Sequence, residues 1–139
     1  MDEFLSKSLC DTDNIAAEVA KKMKKGCFLA LYGEMGAGKT AFVRGIVKSL
    51  IPECLPLVHS PTFAIVNEYA GSTLTIYHFD LYRIKNEDDL YSTGFYDYPS
   101  DDCIIITEWS ELFEGAIPDE AVRIKIERLS DEERRIVIC

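Results

Sequence analysis

Apolar positions along the chain change period several times, and each change marks an element. Ile15, Val19 and Met23 follow helical spacing behind Asp11 and Thr12, either of which can cap the helix. That helix is expected to end near Gly26. CFLALY, Cys27 to Tyr32, is then a continuous apolar run, the pattern of a strand buried on both faces. A glycine-rich turn follows. Beyond it Val43, Ile46, Val47 and Leu50 form a helical stripe that stops before Pro52.

The second half reads mostly as strands. Thr62 to Tyr69 and Thr73 to Phe79 predict a hairpin turning at Ala70-Gly71-Ser72. A short helix is expected from Asn86, its cap, to Thr93, with Gly94 ending it. CIIIT, Cys103 to Thr107, is a second buried strand, and Ser110 to Phe113 a short helical stretch. Ala121 to Leu129 alternates Val122, Ile124 and Ile126 with Arg123, Lys125 and Glu127. With Arg134 to Cys139 it predicts an antiparallel hairpin that keeps one face wet. The expected fold is α/β: one domain over residues 1–139, a mixed sheet with a parallel centre and antiparallel hairpins, flanked by helices.

Composition narrows the class. The 139 residues suffice for one core, and 47% hydrophobic with 28% charged residues is an ordinary globular balance. No apolar run approaches the ~20 residues of a membrane helix. The N-terminal MDEFLSKSLC has no apolar stretch of the signal-peptide kind, so cytoplasm is the expected location. A net charge of −9 argues against direct nucleic-acid binding, because phosphate contacts need a basic stripe. The one dense basic run, Lys21, Lys22, Lys24 and Lys25, is expected at a helix C-terminus, where the macrodipole alone favours cations.

Five widely spaced cysteines make neither a disulfide framework nor a zinc ribbon. Cys27, Cys103 and Cys139 lie in or beside apolar runs and read as small core fillers. His59 and His78 have no ligand-spaced companions, so no structural metal site is expected.

The turn after the first buried strand carries chemistry. Gly33-Glu34-Met35-Gly36-Ala37-Gly38-Lys39-Thr40 fits G-x-x-x-x-G-K-[ST] at every position, and Ala41 continues into the helix. Glycines let successive N–H groups turn inward around phosphate oxygens, and the helix N-terminus adds partial positive charge. Lys39 is expected on the β- and γ-phosphates of a nucleoside triphosphate, and the Thr40 hydroxyl on Mg²⁺.

Such a loop needs an acid at the end of a neighbouring buried strand. Glu108 after CIIIT and Asp80 after TIYHF both qualify. Glu108, on the better buried run, is favoured for the metal, and Asp80 for the γ-phosphate and its attacking water. Which of the two touches the metal directly stays open. Ser60-Pro61-Thr62-Phe63 is a polar bend whose Thr62 can close over the γ-phosphate, or is simply a turn before a strand. Tyr82 and Arg83 follow Asp80 and can reach phosphate, a partner or solvent.

Together these strings resemble one family. GEMGAGKT, HSPTF (59–63), NEY (67–69), HFDLYR (78–83) and TEW (107–109) stand in the order and spacing of the TsaE (YjeE) family. The resemblance extends from the helix with Thr12 to the final hairpin with Arg134 and Arg135. It implies a small P-loop ATPase, weak alone, that works with TsaB and TsaD in attaching threonylcarbamoyl to N6 of adenosine 37 in tRNAs reading ANN codons. With the net charge of −9, tRNA is then expected to be met only through that complex, and no membrane is expected. By the same resemblance the SPTF segment and HFDLYR act as switches, which gives Thr62, Asp80 and Arg83 catalytic roles. Glu108 becomes the metal-side carboxylate, and Thr12 a guess for the adenine side. Two positions depart from the family pattern: Glu34-Met35 replaces Asp-Leu, and Thr107 stands where an apolar residue is usual.

Two other readings remain open at this point. A small-molecule or nucleotide kinase also uses a P-loop, although six dispersed arginines leave no lid-like cluster. A nucleotide-gated interaction module would use hydrolysis only to time its release from partners.

Overall fold

The apolar run after Cys27 becomes β2 (Phe28–Tyr32), the central strand of a seven-stranded sheet in this computed structural model, which describes residues 2–98 and 101–139. The other strands are β1 (Asp2–Ser6), β3 (Val66–Ala70), β4 (Thr75–Asp80), β5 (Ile104–Glu108), β6 (Val122–Arg128) and β7 (Arg134–Ile138). The order is β1-β7-β6-β2-β5-β4-β3. Strands β6, β2, β5 and β4 run parallel, and β1, β7 and β3 attach antiparallel at the two sides. The expected mixed sheet with a parallel centre is therefore what the chain forms.

Among the described residues three α-helices flank the sheet: α1 (Leu9–Ala20), α2 (Lys39–Leu50) and α3 (Glu87–Ser92). The α1 and α2 stripes, including Ala16, Val19, Phe42, Val43 and Ile46, bury against one face with Ile76, Ile104 and Ile106. On the other face Phe79, Ile105 and Phe113 close over Leu90 of α3 and Phe95. Because side chains alternate along a strand, this split fixes polar residues as well. Ile76, His78 and Asp80 of β4 and Ile104, Ile106 and Glu108 of β5 occupy the α2 side.

Several local expectations are corrected. The cap of α1 is Ser8, not Asp11 or Thr12; its hydroxyl accepts from the Asp11 N–H at 3.0 Å, a contact of about 1 kcal/mol. The helix stops at Ala20, so Lys22, Lys24 and Lys25 lie in the following turn and not on the last helical turn. Strand β3 begins at Val66, not Thr62: the Ile65 N–H bonds back to the Pro61 carbonyl at 2.6 Å, and Ile65 has φ +72°. Strand β1 arises from antiparallel pairing with β7 rather than from an apolar pattern, since four of its five residues are exposed. Cys139 is exposed rather than a core filler, whereas Cys54 is buried.

Candidate functional site

Parallel strands deliver their carboxyl ends to one edge, where crevices open in α/β sheets. Here β2 ends in the glycine loop, β5 in Glu108 and β4 in Asp80, and Asp80 and Glu108 are register partners. The site is therefore assembled by sheet register from segments far apart in sequence.

The loop between β2 and α2 requires glycine. At Gly33 a Cβ would lie 2.5 Å from the Ile126 carbonyl oxygen, and Gly38, which precedes α2, has φ +104°. Glu111 accepts from the Gly33 N–H at 3.2 Å. Arg134 braces the same loop from the β6–β7 turn. Its Nε donates to the Ala37 carbonyl at 2.8 Å and its Nη1 to the Ser130 carbonyl at 2.7 Å.

Lys39 opens α2 and folds back over this loop, donating to the carbonyls of Gly33 and Glu34. Its Nζ lies 3.7 Å from the ring centroid of Trp109, a cation–π contact. Burial pushes the Lys39 ammonium below the usual lysine value, and the carboxylates of Glu111, Glu108, Asp80 and Glu34 pull it back up. Trp109 has left-handed backbone, φ +60° and ψ +36°, and stacks on Tyr82 with centroids 4.9 Å apart.

The Thr40 hydroxyl donates to Glu108 Oε2 at 3.0 Å, with Oε1 at 3.3 Å. Beside them Asp80 Oδ2 accepts from Thr62 Oγ1 at 3.0 Å and from Ser60 Oγ at 3.3 Å. Its other oxygen accepts from the Tyr82 N–H at 2.9 Å. Asp80 thus holds the Ser60–Phe63 bend against the end of β4. Glu108 faces Thr40, and Asp80 faces that bend.

Two cavities meet at Gly38 and Ala41, which line both. One, of about 390 Å³, contains Lys39, Thr40, Thr62, Asp80, Glu108 and Trp109. The other, of about 590 Å³, is walled by Leu9, Thr12, Ile126, Arg134 and Ile136. Thr12 is nearly buried and shares a 2.7 Å hydrogen bond with Ser6. Arg83 stands apart: it does not line either cavity, and its guanidinium lies 4.7 Å from the ring centroid of Phe63, itself 85% exposed.

His78 is not the isolated histidine that its spacing suggested. It is fully buried, with Nε2 2.5 Å from Glu108 Oε2 and Nδ1 2.9 Å from the Tyr69 hydroxyl. Burial pushes the Tyr69 phenol above its usual value. The period-2 pattern that buries Ile76 also directs His78 toward Glu108, a signal present in the sequence once β4 is paired with β5. Trp109 and Glu111 follow Glu108 closely, but their approach to Lys39 and Gly33 depends on the turn after β5.

The donor set suits a nucleotide with Mg²⁺. An oxygen-preferring ion that keeps most of its water needs only a hydroxyl, a carboxylate and substrate phosphates, which Thr40, Glu108 and the open cavity provide. Among the described residues no three His, Cys, Asp or Glu side chains converge on a metal site, so an all-protein cage is not on offer.

Comparison with known proteins gives a consistent answer. The family model described as threonylcarbamoyl adenosine biosynthesis protein TsaE matches residues 6–136. A Bacillus subtilis (strain 168) protein named tRNA threonylcarbamoyladenosine biosynthesis protein TsaE is 37% identical over 126 residues, 91% of this chain and 77% of that protein. A Treponema pallidum (strain Nichols) protein of the same name is 32% identical over 136 residues, 97% and 98% of the two chains. The crystal structure of Bacillus subtilis YdiB superposes with a TM-score of 0.77 at 31% identity, covering 99% of this chain and 83% of that one.

Proposed function

The chain belongs to the TsaE family, and from that premise we propose that it binds and hydrolyses Mg²⁺-ATP in support of threonylcarbamoyl transfer to N6 of adenosine 37 in tRNAs reading ANN codons. The observation that carries the ATPase reading is the contact of Thr40 with Glu108 at the mouth of a glycine loop, with Asp80 on the adjacent strand end. A loop without nucleotide chemistry has no need of a threonine hydroxyl held by a nearly buried carboxylate.

Each residue then has a task. Backbone N–H groups of Gly36 to Thr40 take the phosphate oxygens, and Lys39 exchanges its loop carbonyls for the β- and γ-phosphates. Thr40 and Glu108 would hold Mg²⁺, which when bound neutralises charge on the phosphates. The Thr40 proton already points to Glu108, which leaves its oxygen lone pairs for the ion. Asp80, which accepts from Thr62 and Ser60, would orient the attacking water and take up its proton. The cavity beside Thr12, Ala41 and Ile136 receives the base.

At net charge −9 the chain meets tRNA through TsaB and TsaD rather than directly. Among the described residues no helix is long and apolar enough to cross a membrane. The test is reconstitution with TsaB, TsaD, tRNA and ATP, scoring released phosphate and modified adenosine together. Phosphate released to water and modification that both depend on Lys39 support the reading. Phosphoryl transfer to an acceptor, or modification indifferent to Lys39→Ala, refutes it.

A further inference from the structure

Glu108 is held from behind as well as from the front. Thr40 approaches its carboxylate from the cavity, while His78 Nε2 approaches Oε2 at 2.5 Å from the interior of the sheet. Where Glu108 is ionised its carboxylate only accepts, so Nε2 is the donor of this contact, while Nδ1 lies within hydrogen-bond distance of the Tyr69 hydroxyl at 2.9 Å. His78 is fully buried, and Tyr69 and Glu108 are nearly so. The Tyr69 oxygen in turn lies 3.4 Å from both the Asn67 amide and the His59 carbonyl, and Asn67 also donates to that carbonyl at 3.0 Å. Among the described residues no buried side-chain nitrogen or oxygen lacks a partner, so the line is complete from one end to the other.

We propose that Tyr69 and His78 are positioning residues for Glu108: acting in series, they aim its carboxylate at the metal position beside Thr40 and anchor it to the backbone at His59, just before the Ser60–Phe63 bend. This deepens the Mg²⁺-ATP reading and rests on it. Three features support a positioning role over mere packing. The contacts are polar and directional where the neighbours Ile76, Ile104 and Ile106 are wholly apolar. An aliphatic residue at position 78 would fill the same layer without the cost of burying an imidazole. A carboxylate on the last residue of a strand, next to a left-handed Trp109, has no backbone ladder beyond it to fix its direction. Groups that orient a metal ligand from outside the coordination sphere typically govern metal affinity by about tenfold or more.

The experiment titrates Mg²⁺ against the affinity of a non-hydrolysable ATP analogue, followed by Trp109 fluorescence, in the full-length chain. Tyr69→Phe removes one hydroxyl and keeps the buried ring. His78→Leu removes the donor to Glu108, and His78→Gln restores an N–H at that reach. Thermal unfolding of each variant is recorded in parallel. The expected result is a half-saturating Mg²⁺ concentration raised about tenfold in His78→Leu and in Tyr69→Phe, with affinity in EDTA unchanged. His78→Gln should recover part of the loss, and the Tyr69→Phe/His78→Leu double variant should shift no further than His78→Leu alone. Variants that unfold earlier yet titrate with Mg²⁺ like the wild type overturn the proposal while leaving the ATPase reading intact. Additive shifts in the double variant overturn the serial arrangement. A wild-type affinity indifferent to Mg²⁺ overturns both readings.

Discussion

Thr40 and Glu108 are 68 residues apart in sequence and 3.0 Å apart in space, hydroxyl to carboxylate. Helix α2 brings the first and β5 the second, and β2, which pairs with β5, leads into the glycine loop before α2. If this pair holds Mg²⁺, Glu108→Gln should weaken nucleotide binding only when Mg²⁺ is present. A loss of about tenfold, or ~1.4 kcal/mol, is expected in Mg²⁺ and little change in EDTA. Calorimetric titration in the two buffers reads the difference directly, and an equal loss in both would remove Glu108 from the metal.

Asp80 should behave differently, because it holds the Ser60–Phe63 bend through Thr62 and Ser60 rather than facing Thr40. Asp80→Asn is expected to lower turnover by about a hundredfold or more while sparing ADP affinity. Thr62→Val should give a smaller loss of the same kind. Single-turnover hydrolysis against ADP binding separates the two effects, and a variant that loses ADP while keeping its rate would exchange the roles of Asp80 and Glu108.

Much of this site was legible in the chain, for identifiable reasons. The glycine loop is local, so spacing alone exposes it, Glu108 ends an apolar run of the kind an inner strand has, and Asp80 ends the second strand of an expected hairpin. The role of His78 was not legible, because it depends on β4 pairing with β5 and on Tyr69 of β3, which the sequence does not state locally. Nothing local marks Ser8 as the cap, because the apolar stripe begins later, at Ile15. The Thr62–Ile65 stretch looks like strand by residue type, yet Thr62 is held by Asp80 and Ile65 by the Pro61 carbonyl, so the ladder starts only at Val66. Tertiary hydrogen bonds overrode local propensity there.

Lys39 should set an alkaline limit on nucleotide binding. Its charge is needed for phosphate, and burial lowers its pKa below the usual 10.5. Between the lowered value and the ordinary one, the folded empty protein has lost a proton that the unfolded chain retains. Stability of the empty protein therefore rises with pH across that window. Bound phosphate restores the charge, so binding takes up a proton and affinity falls as pH rises through the window. Calorimetry in buffers of different ionisation enthalpy measures that uptake, and Lys39→Ala should abolish it together with most of the affinity. Unchanged ATP affinity in Lys39→Ala would contradict the nucleotide reading.

Arg83 carries a test of where chemistry ends and partnership begins. Its guanidinium stacks on the exposed ring of Phe63 and does not line the cavity holding Lys39 and Glu108. Arg83→Ala should leave nucleotide affinity and any hydrolysis by the isolated chain within about fivefold, since cation–π contacts at exposed sites contribute only ~0.5–1 kcal/mol. Modification of tRNA in the system reconstituted with TsaB and TsaD should fall sharply. A loss of hydrolysis in the isolated chain would instead put Arg83 on the phosphate.

Arg134 gives the complementary case, a residue that shapes the loop without touching metal. Among the described residues its guanidinium donates to backbone carbonyls alone: Ala37 on the glycine loop, and Ser130, Asp131 and Glu133 on the β6–β7 turn, with Gly36 at the limit of reach. A planar fork can serve two segments at once, and a lysine ammonium, a single point of charge on a flexible stem, cannot. Nε also lies 3.4 Å from where a Cβ on Gly38 would sit, so the side chain packs against the turn that starts α2. Arg134→Lys keeps the charge and removes the bracing. If bracing is its contribution, nucleotide affinity should fall about tenfold equally in Mg²⁺ and in EDTA, the opposite signature to Glu108→Gln. The half-saturating Mg²⁺ concentration should not move. An affinity unchanged in Arg134→Lys would show that charge, and not the fork, is what the loop draws from this residue.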